Sequence, residues 1–450
     1  MLVETIKVGL VGLGTVGKGT LEVLCRNQDE IIRRAGVEIL VTSVASRDIQ
    51  KTQHIINNMQ SCVQKPLVHS HAIDVANDDD IDVLVELIGG CDVAKDVILQ
   101  AIKNKKHIVT ANKALIANHG KEIFELARQH NVVVAFEAAV AGGVPIIKAL
   151  REGLSANHIH WLAGIVNGTT NFILSEMDQK GLSFDSVLKQ AQELGYAEAD
   201  PTFDIEGIDA GHKTSIMSSL AFGIPIQFSK AHIEGITKIQ SCDMAYAQEL
   251  GYKIKLLGIA KNQNNGIELR VHPALLPKEH ILANVNGAMN AVMVSGDAVG
   301  QTLYYGKGAG SEPTASAVIA DLVDVVRDIN NHNLDINNRN LGRVPPLAFQ
   351  NDAIVNTPVL NIEEISTRYY LRLKVDDKAG IMAIITSALA SQNISIRAIL
   401  QKEPQDKQQV DVIILTDIAK EGDVNNALEH IQKAIHLQDS VKIRLELLNN

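Results

Sequence analysis

The stretch Ile6–Thr20, IKVGLVGLGTVGKGT, decides how the first part of the chain folds. Ile6 to Val11 is a β-branched, apolar run that reads as a strand, and Thr15 to Arg34 is helix-like. At the junction stands Gly12-Leu13-Gly14-Thr15-Val16-Gly17, a Gly-x-Gly-x-x-Gly turn. Strand, glycine turn and helix in that order mark a dinucleotide-binding unit, in which each glycine has a separate task. One permits the tight turn, one lets the backbone approach a pyrophosphate, and one lets the helix pack close on the strand. The anion then rests on the unpaired N–H groups of the helix N-terminus. A glycine-rich turn without a ligand is the plainer alternative.

Working outward, VEILVTSVAS, IDVLVELIG, HIVTA and NVVVAF are further strand candidates, with helix-like segments such as Lys121 to His130 between them. Alternation of this kind implies a parallel sheet flanked by helices, a doubly wound α/β domain. The second strand runs into Val44-Ala45-Ser46-Arg47-Asp48. Ser46 and Arg47 suit a ribose 2′-phosphate and favour NADP; Asp48 keeps NAD open, and Arg47 as a solvated charge is a further alternative.

From Glu137 the chain becomes glycine-rich and then mixed, with LGYKIKLLGIAKN and IELRVHPALL as strands of a second α/β domain. SEPTASAVIADLVDVVRDI is an amphipathic helix opened by Ser-x-x-Thr and a proline, with Val318, Leu322 and Val325 as its core stripe. Around Leu341 to Thr367 the periodicity fades into a linker or an edge excursion. Beyond it the order β-α-β-β-α-β is ferredoxin-like. The expected boundaries are 1–136 for the dinucleotide domain, completed by a segment returning near 311–345. A second α/β domain follows at 137–310, a linker at 346–366 and a C-terminal domain at 367–450.

The 450 residues, 46% of them hydrophobic, can bury several cores. A net charge of -10 without a basic stripe argues against nucleic acid. No apolar run approaches the roughly 20 residues that span a bilayer. Cys25, Cys62, Cys91 and Cys242 are scattered, form no Cys-x-x-Cys pair and follow no secretory leader, which fits a reduced cytoplasm. The histidines form no zinc-type grouping.

Glu198 to Met217, EADPTFDIEGIDAGHKTSIM, sets Glu198, Asp200, Asp204, Glu206 and Asp209 ahead of Lys213. Asp209 and Lys213, four apart, share one helix face. Most such pairs are surface salt bridges. Here Ile216, Met217, Leu220 and Ala221 carry the turn into a core, so Lys213 is a candidate proton donor oriented by Asp209.

Together GLGTVGKGT, TANKAL, EAAVAGGVPI, GIVNGTTNFIL, GYAEADPTFDIEGIDAGHK and YGKGAGSEPTASAV resemble the homoserine dehydrogenases that end in an ACT regulatory domain. The resemblance covers nearly the whole chain. It implies NAD(P)-dependent interconversion of L-homoserine and L-aspartate 4-semialdehyde, leading to threonine, methionine and isoleucine. It also implies a Rossmann-type domain, a mixed α/β domain and a ferredoxin-like ACT domain.

Residue by residue, the resemblance makes Lys213 the proton donor with Asp209 beside it, and matches Glu198 to the substrate amino group. Asp204 and Thr169 fall at substrate contacts, Gly195 and Gly308 line the cleft, and Lys113 serves both cofactor and substrate. Glu137, Val140, Gly142 and Val144 resemble a loop for a monovalent cation, usually sodium, with a glycine-rich hinge as the alternative. Asp377, Ala379 and Gly380 sit at the strand-to-helix turn where ACT domains take an amino acid, here L-threonine, although such domains also serve dimerisation. A homodimer or homotetramer is implied. A non-catalytic sensor would not need Lys113, Glu198, Asp209 and Lys213 together. An aldehyde dehydrogenase would need a cysteine nucleophile in the cleft motifs. No kinase-sized region precedes Gly12, so a fused aspartate kinase is not expected.

Overall fold

The computed structural model describes residues 5–59, 64–333, 343–402 and 409–448, so part of the segment expected to return near 311–345 lies outside the described residues. Two compact units form: one from residues up to 159 with 215–228 and 296–356, the other from 160–214, 229–295 and 357 onward.

In the first unit, strands β1 (Thr5–Val11), β2 (Glu38–Ala45), β3 (Leu67–His69), β4 (Val83–Glu86), β5 (His107–Thr110) and β6 (Val134–Ala135) pair in parallel. Their order, β3-β2-β1-β4-β5-β6, is the doubly wound Rossmann arrangement, whose winding reverses between β1 and β4. Val8, Leu10 and Val11 are all fully buried, as a strand covered on both faces requires. Val11 stands beside Glu86 in the register, so the glycine turn opens at the switch point.

The helix-like stretch Thr15 to Arg34 is two helices, Thr15–Arg26 and Gln28–Ala35. Asn27 leaves helical geometry (φ -108°, ψ 22°), and Asp29 and Glu30 then occupy a new first turn, where the helix dipole favours carboxylates. The helix expected at Lys121 begins earlier, at Lys113, because the Asn112 side chain caps it by accepting from the Leu115 N–H at 3.1 Å. The helix Ser311–Asn333 closes this unit: Val318, Leu322 and Val325 share a core with Leu10, Leu13 and Leu21. Its Ser311 hydroxyl donates to the Thr15 carbonyl at 2.8 Å.

The second unit is built on β7 (Ile159–Ile165), β8 (His232–Ile233), β9 (Tyr252–Gln263), β10 (Gly266–Pro277) and β11 (Met289–Gly296); β12 (Gly300–Lys307) belongs with the first. β9 and β10 form a long antiparallel hairpin. Then come β13 (Ser366–Asp376), a helix Ile381–Ser391, β14 (Ile396–Gln401), β15 (Gln409–Thr416), β16 (Ala419–Lys420), a helix Glu421–Ala434 and β17 (Leu437–Leu445). The sheet order β17-β13-β15-β14 is ferredoxin-like. Ile385, Leu389, Val424, Ala427 and Ile431 of its helices pack on Tyr369, Leu371 and Leu373.

This sheet does not stand apart, since β17 pairs in parallel with β10 at Ala274 and Leu275. The other face of β13 is charged and still buried: Arg372 donates to both oxygens of Asp243, at 2.7 and 3.2 Å, and the Tyr370 hydroxyl donates to the same carboxylate at 2.9 Å. Of the region read as linker or edge, residues 358–360 run beside β10, exchanging hydrogen bonds with Ile267 at 2.8 and 2.9 Å. Among the described residues no helix is long and apolar enough to cross a membrane. Cys91 and Cys242 are free thiols, and Cys25 is disulfide-bonded.

Candidate active site

In the second unit, Gly207 (φ 80°) ends the short helix Thr202–Ile205 in a left-handed turn that L side chains resist, and the helix Ile208–Phe222 starts at once. That helix carries Asp209 and Lys213 on one face. The Lys213 ammonium donates to Asp209 Oδ2 and to the Val166 carbonyl, each at 2.6 Å. Lys213 is 8% exposed and Asp209 3%, so this is a buried pair and not a surface salt bridge. An ammonium has three donors, and these two bonds use two of them.

Asn167 lies within the motif GIVNGTTNFIL, but nothing in its spacing singles it out. Its side-chain oxygen caps the helix Gly168–Lys180, accepting from the Thr170 N–H at 2.8 Å. Its Nδ2 donates to Asp204 at 2.7 Å and to Asp209 at 2.8 Å, joining the two carboxylates. Gly168 is required next to it, because a Cβ there would lie 2.9 Å from the Ala288 carbonyl oxygen. Burial raises the Asp204 pKa, the Asp209 charge adds to that, and Asn167, Lys213 and Thr169 pull it back.

The other expected contacts are less concentrated. The buried Thr169 hydroxyl donates to the Tyr196 carbonyl at 2.7 Å, and Gly195 (φ 75°) makes the turn after the helix Phe184–Glu193. Glu198 is exposed, and its backbone carbonyl accepts from Gln192 at 3.1 Å. Asp200 is spent on its own turn, accepting from the Thr202 N–H and hydroxyl. Asp204 and Asp209 are thus the two carboxylates of the acidic stretch that meet at Asn167.

In the first unit the three glycines differ in their surroundings. A Cβ on Gly12 (φ 101°) would meet the Leu87 carbonyl oxygen at 2.9 Å, one on Gly17 would lie 2.0 Å from the Gly12 oxygen, and Gly14 faces open space. Ser46 and Arg47 follow β2 directly. Asp48 instead caps the helix Ile49–Asn58, accepting from the Lys51 N–H at 3.0 Å. Lys113 is the first residue of its helix. A second residue missed in the sequence is Glu86. Its carboxylate accepts from the Ile88 and Gly89 N–H groups, at 2.9 and 3.0 Å, and from the Thr110 hydroxyl at 2.6 Å, shaping the loop that abuts Gly12. Burial raises its pKa against those bonds.

The loop from Glu137 turns through left-handed Ala141 (φ 54°) and Gly142 (φ 39°), and a Cβ on Gly142 would lie 2.6 Å from the Gly308 carbonyl oxygen. The Glu137 carboxylate accepts from the Ile147 and Lys148 N–H groups at 3.0 and 2.8 Å, and the Val144 carbonyl accepts from Ile146 at 2.7 Å. Among the described residues, no hydrogen bond reaches the Val140 or Gly142 carbonyl, and no cluster of three His, Cys, Asp or Glu side chains could hold a metal.

Behind this loop Asp321 accepts from the Glu137 N–H at 2.7 Å. Burial, then the neighbouring Glu137, pushes Asp321 up to about 7, and burial pushes Glu137 up to about 7. The fold therefore takes up protons that the unfolded chain releases. The stability these carboxyls lend is full below about pH 4, falls as pH rises and is gone above about pH 7. Melting curves of wild type and Asp321→Asn across this window test it: the wild type should lose melting temperature more steeply with rising pH. Parallel slopes would show that Asp321 is ionised in the fold.

At the ACT domain, Asp377 and Ala379 lie in the turn after β13, and Gly380 (φ 93°) caps the helix Ile381–Ser391.

Residues 145–323 match the homoserine dehydrogenase family, residues 12–137 its NAD-binding domain, and residues 369–436 the ACT domain. A homoserine dehydrogenase of Pseudomonas aeruginosa is 53% identical over 99% of this chain and all of its own. The crystal structure of a homoserine dehydrogenase from Thiobacillus denitrificans superposes with a TM-score of 0.91, at 56% identity, over 99% of both chains. A hyperthermophilic archaeal homoserine dehydrogenase solved with NADPH is 26% identical, covers 72% of this chain and 98% of its own, and gives a TM-score of 0.61.

Proposed function

The chain belongs to the homoserine dehydrogenase family, and from that premise we propose which of its residues carry the reaction and what they bind. It is an NAD(P)-dependent oxidoreductase acting on a CH–OH group in amino-acid biosynthesis, converting between L-homoserine and L-aspartate 4-semialdehyde, with an ACT regulatory domain. The nicotinamide cofactor, when bound, supplies the hydride in the reducing direction and accepts it in the other.

Lys213 is the proton donor to the substrate oxygen. The observation that carries this is the buried Lys213, held at 2.6 Å by both Asp209 and the Val166 carbonyl, with one N–H remaining. Negative charge appears on that oxygen as the carbonyl is reduced, and a donor fixed beforehand stabilises it without reorganising. Asp209 orients the ammonium, and Asn167 holds Asp209. Glu198 takes the substrate ammonium and Asp204 contacts the substrate's polar end; Thr169, whose proton goes to Tyr196, contributes an acceptor. Lys113, Gly195 and Gly308 keep the cofactor and substrate contacts that the resemblance implies. The test is homoserine-dependent reduction of NADP by the full chain. A protein that binds NADP and reduces none would overturn the reading.

Preference for NADP over NAD is supported by Ser46 and Arg47 at the end of β2 and by the engagement of Asp48 as a helix cap. Arg47→Ala should raise the KM for NADP roughly tenfold, the loss of one charge-assisted bond, and leave that for NAD unchanged. Equal changes for both would place Arg47 away from the 2′-phosphate.

A monovalent cation, sodium, fits the carbonyls of Val140 and Gly142, with those of Glu137 and Val144, better than it fits the Glu137 carboxylate, which anchors a helix start. L-threonine at Asp377, Ala379 and Gly380, a homodimer or homotetramer, and a cytoplasmic place complete the reading.

A further inference from the structure

Arg444, on β17 of the ACT domain, is fully buried and divides its guanidinium between two carboxylates. Nη1 and Nη2 each donate to Glu234 at 2.9 Å, while Nε and Nη2 donate to Glu421 at 2.8 and 2.6 Å. Glu421 heads the helix Glu421–Ala434 and also accepts from the Tyr369 hydroxyl at 2.8 Å. Glu234 follows β8; its N–H donates to the Val271 carbonyl at 2.8 Å, and its carboxylate lies 2.7 Å from His232 Nε2. Burial opposes charge at Glu234, but His232 and Arg444 outweigh it and hold the carboxyl well below its usual range.

The residues that follow Glu234 touch the substrate loop. A Cβ on Gly235 would lie 2.3 Å from the Ile205 carbonyl oxygen and 2.6 Å from Glu206 Cα, and the Ile236 N–H donates to the Ile205 carbonyl at 2.8 Å. Residues 234–236 therefore form a strap across Ile205 and Glu206, immediately after Asp204 and shortly before Asp209.

We propose that Glu234, gripped by Arg444, is a positioning residue for the loop from Asp204 to Asp209, so that the ACT domain sets how well the site binds homoserine. This rests on Asp204 as a substrate contact. A ligand or partner that shifts β17 must carry Arg444 with it, and Arg444 carries the strap.

Glu234→Gln in the full chain keeps the shape of the side chain and removes its charge. The KM for homoserine should rise about tenfold, with kcat and the KM for NADP within about twofold of wild type. Amide hydrogen exchange should quicken over residues 203–209 and stay unchanged in the helix Gly168–Lys180, and Glu234→Asp should recover part of both effects. Unchanged exchange at 203–209 would overturn the strap. Faster exchange with an unchanged homoserine KM would overturn the link to binding and remove Asp204 from the substrate. Equal rises in both KM values would leave Glu234 a merely structural residue and overturn the proposal. Should Glu234→Gln fail to fold, Arg444→Lys, which keeps the charge but not the fork that serves two carboxylates, carries the same expectations.

Discussion

Lys213→Ala is expected to lose on the order of 10³-fold in kcat while still binding NADP, because it removes the proposed proton donor and, with it, the cation proposed to face the developing oxyanion. Steady-state kinetics with homoserine and a separate NADP titration measure the two halves. Turnover within about tenfold of wild type would remove Lys213 from the chemistry, since a positioned acid contributes 10²-fold at least. The same change leaves Asp209, 3% exposed, and Asp204 joined through Asn167 without their cation. Like charges so placed repel, so one carboxyl of the pair should hold its proton to higher pH in the variant. The variant should then melt progressively lower as pH rises, a trend that Lys213→Ala/Asp209→Asn should lessen.

Arg372→Met is expected to destabilise the second unit by about 3–5 kcal/mol, the usual effect of breaking a buried ion pair from one side. Asp243, with no exposed surface, would keep the Tyr370 hydroxyl and lose its countercharge. The single tryptophan of the chain, Trp161, is 6% exposed on β7 of this unit, so its fluorescence during urea unfolding reads the loss directly. A shift equivalent to less than about 1 kcal/mol would put the pair in the class of water-screened surface bridges. Adding Asp243→Leu should restore much of the loss, because matched apolar replacements avoid burying a lone charge.

The sequence was most readable where local chemistry and fold agree. The glycine turn, the Ser311 helix and the β-α-β-β-α-β order each depend on residues close together in the chain, so spacing alone exposes them. Asp209 and Lys213 were legible for the same reason, being one helical turn apart. Asn167 was not, because its partners are brought by other segments: Asp204 and Asp209 lie far along the chain, and an Asn before Gly reads first as a turn. Glu86, last in an apolar strand, gave no sign that it would hold the loop beside Gly12. Arg270, Arg372 and Arg444 were the least legible, since a charge alternating with apolar residues along a strand normally marks the solvent face. Here that face is covered, and the charges are paired beneath the cover. Asn27 shows the converse limit: helical spacing ran through it, and the break came from a single residue's backbone.

The outer side of β10 is closed in pieces: residue Val359 bridges Ile267, β8 pairs at Arg270 and Val271, and β17 pairs at Ala274 and Leu275. Each piece comes from a different part of the chain, and the last arrives only when synthesis reaches Leu445. Until then the stretch of β10 at Ala274 and Leu275 offers bare amides to any neighbouring chain, the template on which strands stack between molecules. The regulatory domain is therefore also the guard of a sticky border. Ribosomal pausing or truncation before β17 should show first as insolubility, ahead of any loss of control.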